Sequence, residues 1–354
     1  MNKTKISNPV RLIAFFLTAV ILICTFGFTV DGWQVESKAV NLPLYEDRVE
    51  NSSPIVNEDI KPIFVNPLTG LNTTEDVAAS TPFGIVMEFC EGAYGISYAD
   101  ILVEIPIENE KTRLVSLFTS TSQLFKVGSI TSTRGYISNI LKYFGAIAIY
   151  NGCDDKIVYE SFDISNTSID LSLSDKFWYS NHLGKLYTSA ELISAPINSL
   201  TNQSAILPYD FCNDENEKIK FSKIQREIKI ISGEDSIVEL KFDEEKQKYI
   251  YYKNGNKIFD VLNGNVIEFT NCLVLFADSV TYDNSNGSQI IMDTIGSGGG
   301  YYFTEGTYSE IKWSAGANGK MTFQFPTGEI LTINRGNIYI NFIKSSRKDD
   351  LIFT

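Results

Sequence analysis

The longest apolar run in the chain, Leu12 to Val30, has nineteen residues without a charge and is preceded by Lys3, Lys5 and Arg11. A bilayer core takes about 20 apolar residues in helical form, and basic residues at the leading end hold that end in the cytoplasm. The pattern predicts a cytoplasmic tail over 1–11, a transmembrane anchor over 12–30 and export of the chain beyond Val30. A cleaved signal peptide is the alternative, but the run exceeds a usual h-region and no small-x-small site is present in TFGFTVDGW. Cys24 stands after Ile23, where lipidation processing normally needs a small residue, so it is read as one apolar residue of the span. Residues 31–62 are polar, acidic and aperiodic and are read as a tether.

Beyond the tether the pattern shortens. FGIVMEF (83–89), DILVEIPI (100–107), TRLVSLFTS (112–120) and AIAIYNG (146–152) are apolar runs of strand length. Between the last two, Ile137, Ile140, Leu141 and Phe144 fall at helical spacing and Gly145 closes the run as a C-cap glycine does. Past Pro208 the texture becomes repeated alternation broken by KNGNK, LNGN, SNGS and PTGE, which carry the Asn and Gly that tight hairpins require. The expected fold is α+β, with an N-terminal mixed α/β domain over 63–210 and a β-rich C-terminal domain over 211–345. GSGGG (296–300) lacks the Lys-Ser/Thr and following helix of a phosphate loop and is read as a loop between strands.

Composition narrows the partners. The formal net charge is −13, which disfavours nucleic acid and other polyanions. Four of the five cysteines lie beyond the span, without a CxxC pair, which argues against zinc and leaves one or two disulfides or buried thiols open. No cofactor is expected.

The motifs NPLTGL (66–71), YGISYADILVEIPI (94–107), TRLVSLF (112–118), KVGSITSTR (126–134) and KLYTSAEL (185–192) resemble the YerB-like family of bacterial lipoproteins, as do NGNKIFDVLNG, GSGGGYYFTEG and the stretch from IKWSAGANGK to NIYINFI. The resemblance runs from Asn66 to about Ile343 and implies an anchored, two-domain extracytoplasmic protein without a settled activity. This copy departs from the pattern. Ile130 and Thr131 replace a Val-Arg step so that only Arg134 of two arginines remains, and His182 lies two positions away from the family's histidine.

Candidate chemistry is sparse. Glu88 and Glu91 after the first strand and Asp154 and Asp155 after the fourth could form an acidic pocket, but their spacing matches no calcium loop, and no metal site is expected. Arg113 and Arg134 sit at element boundaries, where a guanidinium fork either recognises a carboxylate or phosphate or pairs with an internal acid such as Asp100 or Glu104. The expected ligand set is therefore Arg113, Arg134, Glu88 and Asp154. A catalytic reading needs Cys153 as nucleophile and His182, the one histidine, as its base, and would make the protein a wall-directed hydrolase or transferase. Tyr249, Tyr251, Tyr252, Tyr301, Tyr302, Trp313 and Tyr339 are read as sheet packing before a sugar groove. The leading expectation is a non-catalytic envelope protein, held in the membrane through 12–30, that binds a wall component or an envelope partner.

Overall fold

A computed structural model describes residues 63–89, 94–153, 167–181, 183–200, 205–213, 218–284, 287–316 and 320–353. The anchor and tether expected over 12–62 lie outside the described residues, as do Cys90, Glu91, Asp154, Asp155 and His182. Among the described residues no helix is long and apolar enough to cross a membrane.

The apolar runs of the N-terminal half form strands Phe83–Met87, Ile101–Pro106, Thr112–Phe118 and Ile147–Tyr150. The helix Gly135–Tyr143 lies where the 3.6-residue spacing put it. Gly145, at φ +64°, ends it, and the Ala146 N–H reaches back to Leu141 O at 3.0 Å. A left-handed residue is needed for that return, and glycine adopts it without a Cβ clash. Ile137, Ile140, Leu141 and Phe144 are all buried, each contributing about 1.5–3 kcal/mol by leaving water. Gly84 on the strand beneath makes the close seating feasible, because a Cβ there would lie 2.1 Å from Leu141 Cδ2.

The N-terminal half is richer in strand than the α/β expectation, and the protein is mostly β with few helices. Val127–Ile130 adds a strand inside KVGSITSTR, and Leu186–Thr188 pairs with it antiparallel. GSGGG is not a loop: Ser297–Thr304 is one strand that starts within it. The glycines are there because the neighbours come close. A Cβ at Gly298 would stand 2.1 Å from Phe276 O and 2.5 Å from the indole nitrogen of Trp313.

One fourteen-stranded sheet carries both halves of the chain. Its middle runs in the order Ser297–Thr304, Asn271–Ala277, Ile338–Lys344, Ile101–Pro106, Thr112–Phe118, Phe83–Met87. The joint is parallel, with Ile101 opposite Ile338 and Glu104 opposite Asn341. Along Ile101–Pro106 the alternation sends Ile101, Val103 and Ile105 to the helix side and Leu102 to the opposite core. That opposite core is closed by a second sheet, of which Glu227–Gly233, Ser236–Asp243 and Lys248–Lys253 are the main strands. Ile228, Ile230, Val238, Leu240, Tyr249 and Tyr251 point inward from it. The Asn254–Gly255 turn between Lys248–Lys253 and Asn256–Lys257 has φ of +50° and +77°, the pair of left-handed residues that KNGNK promised. Tyr249, Tyr251, Tyr302, Trp313 and Tyr339 are all buried, so these aromatics are core.

Candidate functional site

Where the second sheet meets the end of the main one, an open cleft of about 840 Å³ remains between the two halves. The N-terminal half contributes Glu88, just past Phe83–Met87, and Arg113, second residue of Thr112–Phe118. From the C-terminal half come Ser236, Lys253 and the half-exposed Phe259.

Beneath the cleft lies a buried polar cluster. Glu104 is fully buried and takes an ion pair from Lys253 Nζ at 2.6 Å, together with hydrogen bonds from Thr112 Oγ1 at 2.6 Å, Tyr339 Oη at 2.9 Å and Tyr251 Oη at 3.0 Å. Lys253 also donates to Ser236 Oγ at 3.1 Å. Burial by itself would raise the Glu104 carboxyl, but the charge of Lys253 and the converging donors outweigh it and hold the group below the ordinary carboxylate value. Burial pushes the hydroxyls of Tyr251 and Tyr339 up, and the charge of Glu104 adds to that. They therefore act as fixed donors. Lys253 Nζ is thus committed to this carboxylate and to Ser236 Oγ.

Arg113 is satisfied far less completely. Its side chain is 12% exposed, its Nε donates to Ser132 O across 3.4 Å, and its nearest carboxylate oxygen among the described residues, on Glu88, is 4.0 Å away. Glu88 is itself engaged by Lys185. Burial lowers the Arg113 pKa and the neighbouring guanidinium of Arg134 lowers it further, while Glu88 and Glu108 offset part of this. The charged lining of the cleft is balanced, with Lys111, Arg113, Lys253 and Lys257 against Glu88, Glu110, Glu234 and Asp235, but Arg113 has the least complete set of partners among its buried members.

The structure thus brings together two of the residues expected to share a site, Glu88 and Arg113. Arg134 stands at the N-cap of Gly135–Tyr143, pairs with Glu108, and lines a different cavity. Asp154 is outside the described residues. The internal acids named as alternative partners are otherwise engaged: Asp100 accepts from Asn66 Nδ2 and from the Thr119 N–H and hydroxyl, and Glu104 pairs with Lys253. Cys153 bridges to Thr133 and packs against the helix-side core. Its expected base, His182, lies outside the described residues. Cys212 and Cys272 are free thiols, and burial pushes the Cys272 thiol well up. Lys253, Ser236 and Phe259 gave no signal in the sequence because each borders a hairpin turn, where lysine, serine and an end-of-strand aromatic ordinarily face water.

Residues 68–206 match the N-terminal domain, and residues 227–340 the C-terminal domain, of the family described as "Protein of unknown function (DUF3048)". The chain belongs to this family. It is 23% identical to "Putative lipoprotein YerB" of Bacillus subtilis, over 78% of this chain and 85% of that one. The fold is similar to the crystal structure of the YerB protein from Bacillus subtilis, with a TM-score of 0.69 and 20% identity over 82% of this chain and 99% of that one. The cleft of this DUF3048 chain accordingly lies between its two family domains, with Glu88 and Arg113 from the first and Ser236, Lys253 and Phe259 from the second.

Proposed function

We propose that this protein is a membrane-anchored, extracytoplasmic binding protein that holds an anionic group of a wall component or envelope partner at Arg113, without catalysis. The observation behind the reading is the state of Arg113: a guanidinium with five donors, one long hydrogen bond and one loose ion pair, with Glu88 at 4.0 Å, among the described residues, lining an open cleft. A planar fork so placed suits a carboxylate or phosphate, which would complete its hydrogen bonds. Phe259, Glu234 and Asp235 also line the cleft and favour a ligand that carries apolar and cationic groups besides its anionic one, as wall peptides do. The anchor rests on the apolar run 12–30 and on the lipoprotein designation of the Bacillus subtilis relative.

Calorimetric titration of the full chain in detergent with soluble wall peptides tests this. The unaltered protein is expected to bind, Arg113→Ala to bind at least tenfold more weakly, and Arg113→Lys to fall between, because lysine keeps the charge and loses the fork. Equal affinity in a folded Arg113→Ala variant would remove Arg113 from the site. No binding by the unaltered protein would remove wall peptides as the ligand.

A further inference from the structure

The second cavity belongs to a different part of the molecule. It encloses about 510 Å³ between the first turn of the Gly135–Tyr143 helix and the hairpin formed by Ser279–Asn284 and Gly287–Met292. The two hairpin strands pair only with each other among the described residues, and the chain just beyond them is tied to the helix through Thr294. Tyr143 Oη donates to Thr294 O at 2.8 Å, and Thr294 Oγ1 donates to Tyr136 O at 3.2 Å. Tyr136 and Ile290 form a buried floor, whereas Val280, paired with Ile291 across the hairpin, is 62% exposed at the opening.

The charges of this cavity are unbalanced, unlike those of the cleft. Arg134, the one cation among its described lining residues, is already paired with Glu108. Asp278 and Asp293 stand beside each other, the Asp293 N–H donating to Asp278 O at 2.7 Å, and both side chains are exposed. Asp293 Oδ1 accepts the Ile295 N–H at 3.1 Å, and neither carboxylate has a cation among the described residues. The volume is in the range of small-ligand pockets, and the lining combines an apolar floor with two adjacent, uncompensated carboxylates.

We propose that this pocket binds a small apolar cation, an aryl- or alkylammonium group, with its apolar part on Tyr136 and Ile290 and its ammonium between Asp278 and Asp293. The apolar floor supplies affinity by leaving water, at about fourfold for each methylene covered. The two carboxylates supply the sign, because they attract a cation and repel an anion.

Three probes of one shape separate these contributions: 4-phenylbutylammonium, 4-phenylbutanol and 4-phenylbutyrate, titrated against the full chain by ligand-observed NMR. The ammonium is expected to bind at least tenfold more tightly than the alcohol, and the butyrate more weakly than both. An Asp278→Asn/Asp293→Asn variant, which retains the side-chain acceptor for Ile295 N–H, should bind ammonium and alcohol alike. Val280→Lys changes an exposed position, preserves the melting temperature, and should weaken the ammonium at least fivefold by placing a competing charge two residues from Asp278. Binding of the alcohol or butyrate as tight as that of the ammonium would overturn the proposal. So would the absence of ammonium binding at millimolar concentration, or an ammonium preference unchanged in the double variant.

Discussion

The two faces of the Ile101–Pro106 strand are built on different principles. On the helix side Ile101, Val103 and Ile105 pack into an apolar core, with Arg113 opposite Ile105 at its margin, and the strand is held mainly by burial. On the other side Leu102 is followed by Glu104, a fully buried carboxylate that meets a lysine, two tyrosines and a threonine. An apolar contact tolerates many partners. A buried carboxylate tolerates few, since each missing donor exposes its desolvation cost, so this face fixes which segment of the C-terminal domain lies over which residue of the N-terminal one.

The largest test of that comparison separates the domains. Residues 63–210 produced alone lack Ile338–Lys344, Lys253, Tyr251 and Tyr339, and are expected to show no cooperative thermal transition by circular dichroism. A sharp transition would mean that the shared sheet is dispensable for the first domain. Next, Lys253→Met leaves Glu104 charged and unpaired in the interior, and urea denaturation should report a loss of about 3–5 kcal/mol. Adding Glu104→Gln to that variant should restore a large part of it, and failure to do so would mean that packing, not charge, carries the effect.

The same cluster carries a pH signature. The folded-state pKa of Glu104 lies below its ordinary 4.5, so its ionised form stabilises the fold fully above that value, and the contribution is lost as pH falls through the folded-state pKa. The penalty of Lys253→Met should therefore shrink on acidification. On the helix side, Ile105→Val removes one buried methylene for about 0.5–1.5 kcal/mol, and that cost should stay constant over the same pH range. The smallest effect is expected at Arg226, whose ion pair with Glu244 is more than half exposed on both sides: Arg226→Gln should change stability by less than about 1 kcal/mol.

Local signals were legible. The helix with its terminal glycine, the apolar strands and the Asn254–Gly255 turn follow from spacing and backbone preference within a few residues. Strand Val127–Ile130 gave no such signal because it is four residues long and includes a glycine, too short for alternation to register. The cleft was legible only in part. Glu88 and Arg113 stood out as charges beside apolar strands, but Lys253 reaches Glu104 from 149 residues away, and nothing in KYIYYKNGNK distinguishes a lysine that enters the core from one that faces water. Arg134 looked like a companion of Arg113, yet the helix turns it toward Glu108 and a separate cavity. Proximity in the sequence pattern did not fix the direction of the side chain.

The placement of Ile338–Lys344 between Ile101–Pro106 and Asn271–Ala277 also governs how the molecule is made. A chain emerging amino end first presents Ile101–Pro106 early, while the residue that will cap its carboxylate, Tyr339, comes 235 positions later. For most of synthesis the centre of the main sheet is an open edge with an apolar face, the kind of surface that recruits stray strands. Biogenesis of this fold therefore depends on keeping that edge covered until the late strand slides in, and lesions near residue 340 should surface as aggregation during production even where the finished protein would survive them.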